Sequence, residues 1–291
     1  MKGGKRRARP RPCPFFCLKM IELRNVTFGY PSPGDSARPV FEGFNLFIPP
    51  GRYVALMGPN GSGKSTLGKM VKGLLSPSSG QVFIGGRALK RGEISSRVGY
   101  IFSNPENQIV SSVVEEDVAF GLENMGIDRL TMAHRVRESL RWVDMEEYRR
   151  HSPHLLSGGQ QQKVVLAGIL AMESDVLVLD EPASMLDLQD RTEILDLFQK
   201  IQEQGGRTLL HITHSFEEAL MAQDLVVLDR GQLSFSGTAE DFLSQDLPIR
   251  SLLEDAPPFY RLIQGLRNLG HPVRSGVRSL DELKKFLLGK Q

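Results

Sequence analysis

The run Gly58-Pro-Asn-Gly-Ser-Gly63-Lys64-Ser65 follows the pattern G-x-x-x-x-G-K-[ST], whose parts suit a polyphosphate. Gly58, Gly61 and Gly63 let consecutive backbone N–H groups wrap phosphate oxygens, with Pro59, Asn60 and Ser62 completing the turn. Lys64 supplies a point charge, and a following helix would add its partially positive N-terminus. The Ser65 hydroxyl is placed to hold Mg2+, and Thr66 beside it joins the nucleotide-binding set. Downstream, Asp180 and Glu181 close the apolar run Val176 to Leu179. Acids at the carboxyl end of a strand in an open α/β sheet lie where ligands bind. Asp180 would reach the metal directly or through water, and Glu181 would orient or deprotonate an attacking water. No asparagine in the chain is followed by lysine, so the N-K-x-D guanine reader is absent and a GTPase is disfavoured.

The run Ser157-Gly158-Gly159-Gln160 has two readings. Ser157 and Gln160 form S-x-x-Q, a capping box that starts helices in many proteins. Two glycines in the first turn cost roughly 1 kcal/mol each relative to alanine. They would also leave backbone N–H groups bare, which makes a second anion site.

The elements that must position these residues follow from periodicity. Met20 to Phe28 and Val40 to Ile48 alternate apolar and polar residues and predict strands of a half-exposed sheet, joined by the turn-rich loop 31–39. Strands are also predicted over Tyr53 to Met57, Gln81 to Ile84, Val98 to Phe102, Val176 to Leu179, Thr208 to Ile212 and Leu225 to Leu228. Helices are predicted from the glycine-rich loop to about Leu75, and over Val113 to Met125, Asp128 to Met145, Gly158 to Met172, Gln189 to Glu203 and Phe216 to Met221. Apolar strands alternating with helices imply an α/β fold with a mostly parallel sheet covered on both faces. A separate antiparallel piece precedes it, and a helical insert spans about 104–160. After Gly237 the rhythm stops. Phe259, Leu262, Ile263, Leu266 and Leu269 predict one helical face, and Ser279 with Glu282 a capping box. Two such short helices must dock on the body or on a partner.

Here the chain resembles an ABC-transporter ATPase subunit. A phosphate loop, then Leu156-Ser-Gly-Gly-Gln160, then a strand ending in Asp180 and Glu181 is that family's ordered set, and the match covers about residues 20–240. The resemblance implies a P-loop cassette in which two subunits sandwich two ATP molecules. Ser157 to Gln160 of one would touch the γ-phosphate held by the other. It also implies that Tyr30 stacks on adenine, that Ala183 to Asp187 crosses the dimer, and that His214 contacts the γ-phosphate. His211 reads as a core or surface residue. Asn104 to Gln108, Val114 to Gly121 and Ala167 to Met172 are similar to the energy-coupling-factor branch, which takes up cobalt, nickel or vitamins. That branch implies a membrane scaffold subunit, a substrate-capturing membrane subunit, a second ATPase subunit, and a place on the cytoplasmic face of the membrane. It also implies that residues 241–291 form a dimer-contacting extension. One position departs: the family's glutamine after the strand ending at Phe102 is here Ser103. Either a bridging water lets the shorter hydroxyl serve, or this subunit's own site is weakened and works beside a second ATPase bearing the glutamine.

Composition agrees with this reading. The chain has 291 residues, 40% hydrophobic and 24% charged, room for one large or two modest domains. No apolar run approaches the roughly 18 residues of a membrane span. The net charge of +2 hides a basic tail: residues 1–19 carry seven bases and no acid, leaving −5 for the rest. A mildly acidic body gives no electrostatic case for nucleic acid. The tail reads as a disordered arm or as sequence ahead of a start at Met20, and its Cys13 and Cys17 as free thiols. The competing function is a soluble ABC ATPase uncoupled from transport; those usually carry two cassettes or a long coiled coil, and neither fits this length.

Overall fold

In the computed structural model the described residues are 20–31, 39–244, 261–263, 265–266, 269–271, 273, 277 and 280–288. The basic tail with Cys13 and Cys17, most of the loop 31–39, Phe259 and Ser279 lie outside them.

Two sheets form the body. The first has the order β2-β1-β4-β5, from β1 (Ile21–Phe28), β2 (Phe41–Ile48), β4 (Ser79–Ile84) and β5 (Arg87–Ala88), and every pairing is antiparallel. The second has the order β10-β9-β3-β8-β7-β6. Its strands are β3 (Tyr53–Met57), β6 (Val98–Ile101), β7 (Val176–Asp180), β8 (Thr208–Ile212), β9 (Asp224–Asp229) and β10 (Gln232–Thr238). All neighbours are parallel except β9 and β10.

Strand alternation divides the apolar residues of this second sheet between two cores. Val54, Leu56, Val178, Leu210, Ile212, Val226 and Leu228 face helix α1 (Lys64–Lys72) and the antiparallel sheet. Ala55, Met57, Leu177, Leu179, Leu209, Leu225 and Val227 face the other way. That second core holds residues of helices α2 (Val114–Asn124), α3 (Arg129–Trp142), α4 (Gly158–Ala171) and α5 (Leu188–Gln204), with α6 (Phe216–Ala219) beyond them. A sheet buried on both faces explains why its strands read as unbroken apolar runs.

Two expectations need correction. The strand-helix rhythm does not stop at Gly237, which lies inside β10. That strand turns back on β9 through Arg230 and Gly231, both at positive φ as a two-residue hairpin requires, and its Ser- and Gly-rich sequence hides it from periodicity. Helix α7 (Ala239–Ser244) follows, and its Ala239 and Phe242 join the main core, so the body extends past residue 240. The helical face predicted after it is split. Ile263 and Leu266 pack with Val273, Val277 and Leu283 in a small separate cluster, while Leu262 and Leu269 are exposed. Leu283 belongs to α8 (Leu280–Leu287), whose Phe286 and Leu287 also face outward.

Candidate nucleotide site

Four consecutive strands of the parallel sheet, β3, β8, β7 and β6, deliver four segments at their carboxyl ends. They are the loop from Gly58, Thr213 with His214, Asp180 with Glu181, and Ser103 with its loop. Gly63 caps α1 at φ 104, and a Cβ there would stand 2.6 Å from Phe41 Cζ, so only glycine fits this turn. Lys64 is buried and its ammonium donates to the Gly58 carbonyl at 2.8 Å and the Pro59 carbonyl at 3.2 Å. Burial pulls its pKa down, against the opposing pull of Glu181 and Asp180. The Ser62 hydroxyl is buried in the same loop and has no hydrogen-bond partner among the described residues. A polar cradle with an unmet hydroxyl, a lysine and free first-turn N–H groups fits a polyphosphate.

Ser65 Oγ donates to Asp180 Oδ1 at 2.8 Å, bringing two hard oxygen donors together across 115 residues of chain. Such a pair fits Mg2+. Glu181 sits at φ 50, a left-handed conformation that a non-glycine residue holds at a cost of order 1–3 kcal/mol. Its carboxylate lies 3.4 Å from His214 Nδ1, so the two side chains put forward for hydrolysis are adjacent. Tyr30 is half exposed beside α1; its hydroxyl is 3.0 Å from Thr66 Oγ1 and its ring meets Phe28 edge-on. Asp187 caps α5 through Asp190 N–H, and the neighbouring Met185 and Leu188 are exposed.

Ser157 and Gln160 form the capping box that their spacing predicts: Ser157 Oγ accepts from Gln160 N–H and Gln160 Oε1 from Ser157 N–H. The expectation of bare N–H groups fails at one position. Gly159 N–H donates to Asp190 Oδ2 at 3.1 Å. The hydrogen bonds described at this helix start run within the capping box and to Asp190, and none of them reaches the phosphate loop.

Several supporting residues escaped the sequence reading. Tyr100 is buried and donates to Asp180 Oδ2 at 2.6 Å. Burial, the Asp180 charge and this bond all push its pKa up. Gly68 weakens α1 by roughly 1 kcal/mol relative to alanine. A Cβ there, however, would stand 2.8 Å from Ile212 Cδ1, 3.0 Å from Val178 Cγ1 and 3.4 Å from Tyr100 Cε2. His211 is fully buried, so of its two readings core is correct: its Nδ1 is 2.9 Å from Tyr53 Oη and its Nε2 3.3 Å from Glu218 Oε2. Glu218 also accepts from Thr213 at 2.6 Å and pairs with Arg191 at 2.9 Å, while Arg191 donates to Ser215. Desolvation works to raise Glu218's pKa, but His211, Thr213 and Arg191 together hold it below its ordinary value. Thr213 and Ser215 bracket His214, so this network fixes the backbone that presents it. The Gln108 amide is engaged by the backbone of this strand end: it donates to the Tyr100 carbonyl and accepts from Phe102 N–H.

Fold and site together define a P-loop nucleotide-binding cassette. A family model described as ABC transporter matches residues 41–184. The energy-coupling factor transporter ATP-binding protein EcfA1 of Clostridium novyi is 40% identical over 272 residues, 92% of this chain and 97% of its own. The protein of the same description from Symbiobacterium thermophilum is 42% identical over 275 residues, 92% of this chain and 96% of its own. Among solved structures, cbiO1 from Clostridium perfringens, part of the ABC transporter complex cbiONQ, superimposes with a TM-score of 0.71 at 28% identity, covering 84% of this chain and 99% of that one. The cassette MJ0796, dimeric and bound to ADP and phosphate, gives 0.67 at 30% identity over 75% and 98% of the two chains. The chain belongs to the ABC transporter ATPases and, within them, to the energy-coupling factor transporter ATP-binding proteins. It binds and hydrolyses ATP as the motor subunit of such a transporter. Among the described residues no helix is long and apolar enough to cross a membrane.

Proposed function

We propose that ATP lies along the loop Gly58 to Thr66, its phosphates held by the backbone N–H groups of this loop and by Lys64. Adenine stacks on Tyr30. Ser65 and Asp180 hold Mg2+, which when bound neutralises charge on the β- and γ-phosphates. Glu181 takes the proton of the attacking water, and His214 beside it contacts the γ-phosphate. Ser157, Gly158, Gly159 and Gln160 complete the partner's site, with Asp187 in the segment that crosses between the two subunits. The partner is a second ATPase subunit, the same chain or a related one. Residues 20–240, extended through α7 to Ser244, form the cassette, and the rest of 241–291 a dimer contact whose outward Leu262, Leu269, Phe286 and Leu287 would be covered. The assembly sits at the cytoplasmic face of the membrane on a scaffold subunit and a substrate-capturing subunit, and imports a metal ion or a vitamin.

The observation that carries this reading is the convergence of Ser65, Asp180, Glu181 and His214 at adjacent strand ends. Glu181→Gln tests it. The variant is expected to bind ATP as the wild type does and to lose about 10²–10⁴-fold in turnover, the span of positioned general-base action. A variant keeping more than about a tenth of wild-type turnover removes Glu181 from the base role.

A further inference from the structure

Tyr100 stands in the middle of β6, buried, with its ring tilted against Phe102 at 4.6 Å. Helix α1 approaches it at a glycine, Gly68, where a Cβ would stand 3.4 Å from Tyr100 Cε2. Its hydroxyl donates to Asp180 Oδ2 at 2.6 Å, while the other carboxylate oxygen accepts from Ser65 at 2.8 Å. Two donors on two different elements therefore fix the plane of the Asp180 carboxylate. The backbone of the same strand is clamped to the loop that follows it. Gln108 Nε2 donates to the Tyr100 carbonyl at 2.9 Å, and Phe102 N–H donates to Gln108 Oε1 at 3.1 Å.

A buried tyrosine hydroxyl needs some acceptor, and packing alone would explain one taken from the nearest carbonyl. Here the acceptor is the charged carboxylate of the site itself, and a charge-assisted bond of this kind orients as well as satisfies. We propose that Tyr100 is a positioning residue for the metal-holding carboxylate of Asp180. Through Gln108 it ties that carboxylate to the loop 103–108, in a chain whose loop opens with Ser103 instead of glutamine. The proposal rests on the reading of Asp180 as a Mg2+ ligand.

The test uses full-length Glu181→Gln protein, saturating ATP and Mn2+ as the probe. It reads the Mn2+ concentration at which ATP retention is half-maximal and the electron paramagnetic resonance spectrum of the bound Mn2+. Adding Tyr100→Phe, which deletes one oxygen, is expected to raise that concentration about tenfold and to broaden the spectrum, as loss of a residue orienting a metal ligand does. ATP binding in EDTA is expected to stay unchanged, while the nucleotide-free melting temperature falls with the loss of the charge-assisted bond to Asp180. Gln108→Ala is expected to move the Mn2+ requirement the same way by less, and to add nothing in the Tyr100→Phe background. If Tyr100→Phe leaves the Mn2+ requirement unchanged while Asp180→Asn raises it, the positioning role is overturned. A Tyr100→Phe effect that appears equally in EDTA overturns it too, in favour of packing. If Asp180→Asn itself changes nothing, the metal reading falls, and the proposal with it.

Discussion

The phosphate loop with its acids and the start of α4 are the two regions proposed to meet phosphate, and they are prepared differently. At the first, the parts are cross-braced within the chain: Lys64 on its own loop carbonyls, Ser65 and Tyr100 on Asp180, Glu181 beside His214. At the second, Ser157 and Gln160 satisfy each other, and Gly159 N–H is taken by the chain's own Asp190. The first region has its polar side chains aimed at one another around the loop, whereas at the second the capping box and Asp190 already occupy the polar groups of the helix start. On the proposed reading the site is complete only when two subunits meet, which would link nucleotide binding to subunit pairing thermodynamically.

The largest change that would break this contrast is the Glu181→Gln loss already described, because it strikes the finished half. Ser157→Arg strikes the other half. It is expected to lower turnover about 10²-fold, by removing a phosphate donor and crowding the interface, while a single chain still binds ATP normally. Turnover and fluorescent-nucleotide binding measured on the same preparation separate the two, and a variant that also loses ATP binding would mean that α4 serves its own subunit. Ser103→Gln is expected to raise turnover about threefold to tenfold in the presence of the membrane subunits, because the Gln108 amide is committed to the strand and cannot stand in. Equal rates would show that Ser103 suffices. The smallest effect belongs to Asp190→Ala, which frees the Gly159 N–H. ATP-driven pairing, followed by light scattering, should then tighten about twofold to tenfold, the worth of one hydrogen bond. Weaker pairing would identify Asp190 as a support for α4 and not as an occupant of its anion site.

Much of the prebuilt half was legible in the sequence, because its residues are local and rigid in type. The glycines, Lys64 and Ser65 sit in one run, and Asp180 with Glu181 ends an apolar strand whose partners need not be known. The capping box at Ser157 was legible for the same reason. What was hidden is whatever depends on distant pairings. Tyr100 and Asp180 are 80 residues apart, Gly159 and Asp190 31 apart, and Tyr53 and His211 158 apart. Tyr100 and Tyr53 read as ordinary strand members and Asp190 as an ordinary helix member; the sheet order that puts β6 beside β7 and β3 beside β8 is what pairs the two tyrosines with Asp180 and His211. Strand β10 was missed because Gln232 to Thr238 is mostly exposed and polar, and it is recruited by the hairpin at Arg230 and Gly231, not by a buried face of its own.

The central claim is that the site closes only across two subunits. Sedimentation of Glu181→Gln protein tests it most directly, without nucleotide and at saturating Mg2+ and ATP, alone and with the membrane scaffold subunit. The account predicts single chains without nucleotide and stable pairs with ATP, lost again when Ser157→Arg is added. A single chain at saturating ATP under both conditions would contradict it.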